Sequence, residues 1–345
     1  MTTQPQSPLT MLLSRHTRRR DFITLLGGAA VAWPLAARAQ QPDRMRRIGF
    51  WVGEPESNPN AQRRVGAFKQ GLQDLNWREG HNIKIEYRWA ILNPDRIRDD
   101  AASLVALDPD VIVTTGAPTV AALLQATRSI PIVFTFVTDP VRDGFVESLS
   151  HPGGNITGFT IFEHTMAGKW LGLLKEAAPH ITRVAVMQNP EHPAWPTYLN
   201  AIATVAPSVG VQVTPTPVHD AAEIEQAISA FAGEPNGGLI VLPSGITVNY
   251  RDQVIATALQ HRIPAIYPER VFAESGGLLS YGVVQSEMYR LAAAYADRIL
   301  KGSKPSELPV QFATTFELII NLKTAKALGL EIPPQLLARA DEVIE

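Results

Sequence analysis

The 345-residue chain contains no cysteine. That excludes disulfides, a thiolate nucleophile, a zinc–sulfur centre and a lipid attached through cysteine. Catalytic signatures are lacking too. There is no G-x-S-x-G elbow and no G-x-x-x-x-G-K-[ST] phosphate loop, and Gly49 and Gly53 do not make a G-x-G-x-x-G. The eight histidines are scattered, without metal-binding spacing. The acids of "RDD" (Arg98–Asp100) read as a solvated helix face. No catalytic residue, metal site or cofactor is expected. Excess positive charge is also missing: 31 basic residues face 33 acidic ones, which leaves no electrostatic footprint for nucleic acid. The apolar run Phe22–Ala37 is about one turn short of the ~20 residues of a membrane span, and no later stretch is long enough.

What is present begins with "TRRRDFITLLGGAAVAWPLAARAQQ" (Thr17–Gln41). A basic start, a short apolar stretch and Ala37-Arg38-Ala39 make a secretory signal, with cleavage expected before Gln40. Arg19-Arg20-Asp21-Phe22-Ile23 matches the twin-arginine export pattern. Removing residues 1–39 takes away five arginines and one aspartate, leaving 26 basic and 32 acidic residues and a net charge of −6. Without disulfides, the exported chain relies on its core, and 45% hydrophobic residues are enough to build one.

The rest reads as strands alternating with helices. Strands are expected at Arg46–Val52, Asn82–Trp89, Val111–Gly116, Ile130–Val137 and Asn155–Thr160. Helices are expected at Ala61–Leu75, Pro94–Leu107, Pro118–Thr127 and Asp139–Leu149. A second series sets strands at Arg183–Asn189, Val211–Val218, Gly238–Ser244, Ile263–Pro268 and Gly277–Gly282. Its helices are Glu163–Ala178, Trp195–Ala206, Ala221–Phe231, Val248–His261 and Glu287–Leu300, with another around Leu318–Leu328. Prolines mark Val211–Val218 as an edge strand. Short apolar strands alternating with helices predict two doubly wound, Rossmann-like α/β lobes with parallel sheets.

Ligands of such sheets bind beyond the carboxyl ends of the strands. In "TTGAPT", Thr115 and Thr119 place hydroxyls at a helix start suited to an anion, or simply cap it. In "FVTDP", Thr138 and Asp139 begin the next turn; Asp139 either caps it or holds an ammonium. Asn189 and Ser244 end buried strands as ligand donors or as caps. Tyr267 and Tyr281 stack on a ligand or cover the core edge, and Trp51 is a candidate apolar wall.

Several segments resemble one family: the N-terminal "RRRDFITLLGGAAVAWPLAARAQQ", "IPIVFTFVTDPV", "HPGGNITGFT", "GGLLSYG" and "FELIINLKTAKALGLEIPPQLLARADEVI". Together they are similar to exported ABC-transporter substrate-binding proteins of the tryptophan/tyrosine type. The resemblance implies a type I periplasmic binding fold, with two lobes joined by a three-crossover hinge and a small molecule trapped between them. It also implies a permease and an ATPase encoded elsewhere, a periplasmic location and a monomer. By analogy the crossovers fall near Phe159, Tyr281 and Gln311. Lobe one is then 46–160 plus 283–310, and lobe two 161–282 plus 311–345. The first loop, "WVGEPESN", departs from the small Ser/Gly-rich segment of the family; its Glu54 points to a more cationic ligand or excludes an anionic one. The expected role is solute capture. The alternatives are a ligand sensor for a membrane signalling partner and an enzyme on the same scaffold.

Overall fold

A computed structural model describes residues 44–89, 96–161, 165–191 and 195–345. The expected signal segment lies outside these residues, as do the starts of the helices read from Pro94 and Glu163. The chain runs β1 (Arg46–Val52), α1 (Pro59–Asp74), β2 (Ile83–Trp89), α2 (Ile97–Val105), β3 (Val111–Thr115), α3 (Ala117–Ala126), β4 (Ile132–Val137) and β5 (Ile156–Thr160). It crosses over into α4 (Thr165–Ala177), β6 (Arg183–Gln188), α5 (Trp195–Val205), β7 (Gln212–Pro217), α6 (Ala221–Phe231) and β8 (Gly237–Val241). There follow α7 (Gly245–Asn249), α8 (Arg251–Gln260), β9 (Ala265–Tyr267), α9 (Arg270–Glu274) and β10 (Leu279–Val283). The chain then returns through α10 (Gln285–Leu300) to β11 (Gln311–Phe312), and ends with β12 (Phe316–Asn321), α11 (Leu322–Leu328), α12 (Pro334–Leu337) and β13 (Glu342–Ile344).

Two sheets result. The first has the order β11-β5-β4-β3-β1-β2 with every pair parallel; the second has the order β13-β12-β10-β9-β8-β6-β7. A central strand such as "VIVTT" in β3 is buried on both faces, because helices cover both sides of a parallel sheet. In lobe one, α1 and α10 pack on one face, where Phe50, Phe68, Leu72, Tyr289 and Ala293 share a core. Gly71 allows that helix crossing: a Cβ there would sit 2.9 Å from the Cβ of Ala293. The other face holds Trp51, Leu104, Leu123 and Phe134. Lobe two has its own two cores, one built around Trp170, Trp195 and Tyr198 and the other around Tyr267 and Phe272.

The three passages between sheets follow β5, β10 and β11. The third lies two residues or more beyond its expected place, because Gln311 and Phe312 pair with Phe159 and Thr160 of lobe one. Two element readings are corrected. Asp139–Leu149 is a set of turns, not a helix: Pro140 is followed by Gly144 in a left-handed conformation, and Asp139 accepts the Arg142 N–H at 3.0 Å. The stretch from Leu318 is a strand before it is a helix. The apolar run "FELIIN" pairs antiparallel with β10, and Asn321 then caps α11 by accepting the Thr324 N–H. As its prolines suggest, β7 lies at the rim of its sheet.

Candidate functional site

The carboxyl ends of both sheets face a shared cleft of about 410 Å³. Lobe one contributes Glu54 from the loop after β1, Arg63 and Arg64 from α1, and Gln285 from the start of α10. Lobe two contributes Arg251, Glu269 and Arg270 from the starts of α8 and α9. Beside it lies a smaller recess of about 40 Å³, walled by Phe136, Met166, Trp170 and Tyr198. The two hollows share Glu269 and Gln285.

Each of these side chains is positioned by local backbone chemistry. Asn58 caps α1 by accepting two backbone N–H groups, with Pro59 at the first helical position. Glu54 and Arg64 thus face each other at 2.5 Å across the first loop. Phe136 sits at a register shift between β4 and β5 with φ +57°, a conformation rare for a bulky side chain. It stands 6.0 Å from the Tyr289 ring and lines the recess. Gly158, opposite that bulge, has no room for a side chain: a Cβ would come 2.1 Å from the Phe134 carbonyl. Gly282 plays the same part under Glu269, since its Cβ would fall 1.8 Å from the Pro268 carbonyl. In the recess, the Trp170 indole donates to the Tyr281 carbonyl at 2.7 Å and its ring lies 5.7 Å from Tyr198.

A polar chain crosses from one lobe to the other. Glu54 pairs with Arg64, Arg64 donates to Gln285 Oε1 at 3.3 Å, and Gln285 donates to Glu269 at 3.0 Å. The Arg64 guanidinium also lies 6.0 Å from the centre of the Tyr289 ring. Burial works against its charge, but Tyr289, Glu54 and Glu269 outweigh that and hold its pKa above the ordinary value. For Glu269 burial is the leading cause and pushes the carboxyl upward, against the pull of Arg64. Two buried atoms at this centre have no hydrogen-bond partner: Glu54 Oε2 and Arg64 Nε. At the mouth, Arg63 of lobe one meets Glu274 of lobe two at 3.1 Å.

The residues expected at the site are distributed differently. Trp51 and Tyr267 are each 1% exposed and belong to lobe cores, so the expectation of a ligand wall at Trp51 and ligand stacking at Tyr267 is corrected: Tyr267 stacks on Phe272 with centroids 4.9 Å apart. Thr119 is fully buried and within hydrogen-bond reach of the Thr115 and Gly116 carbonyls, tying the turn. Ser244 and Thr247 form a reciprocal cap on α7. Asn189 accepts the Glu191 N–H at 3.0 Å, and Asp139 caps its turn. Thr138 offers its carbonyl to Thr160. Thr115 bonds the hydroxyl of the buried Tyr289 at 3.0 Å, whose ring lies 6.0 Å from the Arg64 guanidinium. Tyr281 stacks on Phe316 beside Lys169. Glu54 and Glu269 stand in loops that the strand-end rule selects. Phe136 opens the "FVTDP" stretch that the same rule selects but was not singled out; Arg64, Trp170, Tyr198 and Gln285 were missed, since nothing local in the sequence distinguishes them from core or surface residues. Among the described residues no cluster of His, Asp and Glu is placed to hold a metal ion, and no helix is long and apolar enough to cross a membrane.

Known proteins share this architecture. The chain is 27% identical over 292 residues to a tyrosine-binding protein of Clostridioides difficile, covering 85% of this chain and 84% of that one. A conserved domain protein of Vibrio cholerae superposes with a TM-score of 0.77 at 28% identity, over 87% of this chain and all of that one. An ABC domain from Streptococcus pneumonia in complex with L-Trp has the same TM-score at 23% identity, over 87% and 99% of the two chains. The family model described as ABC transporter substrate binding protein matches residues 52–344, and the chain belongs to that family.

Proposed function

We propose that this chain is the exported solute-capturing component of an ABC importer. It holds an aromatic amino acid or a related small metabolite between lobes that close by hinge motion. The observation that carries the reading is the cleft itself. A charged centre and an aromatic recess meet at Glu269 and Gln285, at the carboxyl ends of both sheets. The tyrosine-binding relative and the L-Trp complex supply the aromatic candidates. The chain releases its ligand unchanged to a permease driven by an ATPase, acts as a monomer and binds no nucleic acid. Residues 1–39 send it through the twin-arginine route to the periplasm and are removed near Ala39.

A thermal-shift screen of residues 40–345 against amino acids, aromatic acids and amines tests the capture role. Ligand at a hundredfold excess over Kd should stabilise the protein by about 2.7 kcal/mol. Consumption of the ligand over hours would replace capture with catalysis. Replacing Arg19 and Arg20 by lysine should block export; normal accumulation outside the cytoplasm would point to the general secretory route.

A further inference from the structure

The cleft lining holds four arginines against three glutamates, a balance that favours an incoming carboxylate. Each of those arginines already has a carboxylate partner of its own. A ligand carboxylate must therefore displace a partner or share a guanidinium with one. The four pairs differ in how readily they give way. Arg270 is held by both Glu317 and Glu342, each at 2.6 Å. Arg63 with Glu274 and Arg251 with Asp252 are more open to water, where a new ion pair gains little.

Arg64 differs from these three. Its side chain is 12% exposed, the least of the four. One oxygen of Glu54 reaches Nη2 at 2.5 Å, Nη1 donates to Gln285, and Nε is buried without an acceptor. Nε and Nη2 share one edge of the guanidinium, the edge that a carboxylate can grip with two parallel bonds. Glu54 makes only one of the two, and its buried Oε2 has no donor. Glu54 also stands in the loop after β1 with a third of its side chain exposed, so it can return to water at small cost. A buried guanidinium left without a counter-charge is costly, which gives Glu54 its part while the cleft is empty. We infer that Glu54 is an internal stand-in for the ligand's carboxylate: the incoming acid takes the Nε–Nη2 edge of Arg64, and Glu54 swings out to solvent. Arg64 then selects for a free carboxylate, and Glu54 sets the affinity by competing for it. The inference rests on the ligand-capture reading above and adds the residue pair that selects the acid.

Calorimetry on residues 40–345 tests it with L-tyrosine, L-tryptophan and their carboxamides, which keep the ammonium and the ring. The amino acids should bind at least tenfold more tightly than the amides. Glu54→Gln keeps the shape and removes the charge; it should tighten amino-acid binding by about threefold or more, without tightening amide binding. In the double variant Glu54→Gln with Arg64→Met, that gain should vanish. Circular dichroism checks that each variant is folded, and the comparison of acid with amide on the unaltered protein stands even where a variant is not. Amides that bind as tightly as the amino acids would overturn the inference and leave ligand capture standing. So would an unchanged or weaker amino-acid affinity in folded Glu54→Gln, or a gain that survives in the folded double variant. If all four compounds fail, the hit from a wider screen decides: one without a carboxylate overturns the inference, and one with a carboxylate must gain in Glu54→Gln. If no small molecule of any class binds, ligand capture itself falls.

Discussion

Two sets of polar residues stand at the strand ends, and they differ in hydrogen-bonding capacity. Thr119, Asp139, Asn189 and Ser244 spend theirs on the turns that carry them. Glu54, Arg64, Glu269 and Gln285 bond to one another across the lobes, and two of their buried atoms remain without a partner. The loop members of both sets stand where the strand-end rule points, while Arg64 and Gln285 come from helices. The two sets therefore differ not in position along the strand but in the capacity left unused once the backbone is satisfied.

The contrast is tested most severely under Glu269. Gly282→Val would force a side chain into the Pro268 carbonyl, and it should lower the melting temperature by several degrees or prevent folding. A variant that melts with the parent would show that the loop carrying Glu269 yields easily. Next in size is Arg64→Met. It strips Glu54 of its cation and Gln285 of a donor, and should cost about 2–3 kcal/mol in urea unfolding. An effect below about 0.5 kcal/mol would mean that the central network is loosely held.

A pH series on unliganded Glu269→Gln sharpens the same point. The folded-state pKa of Glu269 is raised above its ordinary 4.5, so the ionised form destabilises the folded chain. The stabilising influence is present below the unfolded pKa and lost as pH rises through the folded one. The glutamine variant should thus be more stable than the parent at neutral pH, with the gap closing as pH falls toward 4.5. A gap that widens on acidification would reverse the assignment. The smallest effects belong to the turn set. Asp139→Ala and Ser244→Ala should each cost about 1 kcal/mol through a lost cap and leave ligand affinity within threefold. A tenfold weaker affinity in Asp139→Ala would return that carboxylate to the site.

The alternation of short apolar strands with helices was enough to read the fold, because parallel strands buried on both faces are continuous runs such as "VIVTT" and "GLIV". It failed where an apolar run fits either period. Leu318–Asn321 looks helical until antiparallel pairing with β10 decides the matter. At the site, loop membership was legible for Glu54 and Glu269. Arg64 was not, because an arginine on a helix is ordinarily solvated and only the fold brings Glu54 and Gln285 to it. Trp51 misled because it stands inside β1, packed with Leu104 and Phe134, and not in the loop beyond the strand.

The rim strand β7 carries a consequence for pairing between molecules. Gln212 and Val218 donate inward, to Thr182 and Gln188, so the even-numbered amides of this strand serve the sheet and the odd-numbered ones point away from it. Two of those outward positions are Pro215 and Pro217, which have no N–H. An incoming strand from another molecule finds two of the outward N–H donors missing. Self-association along this edge is thus opposed by covalent chemistry rather than by charge, and the opposition holds at any salt concentration.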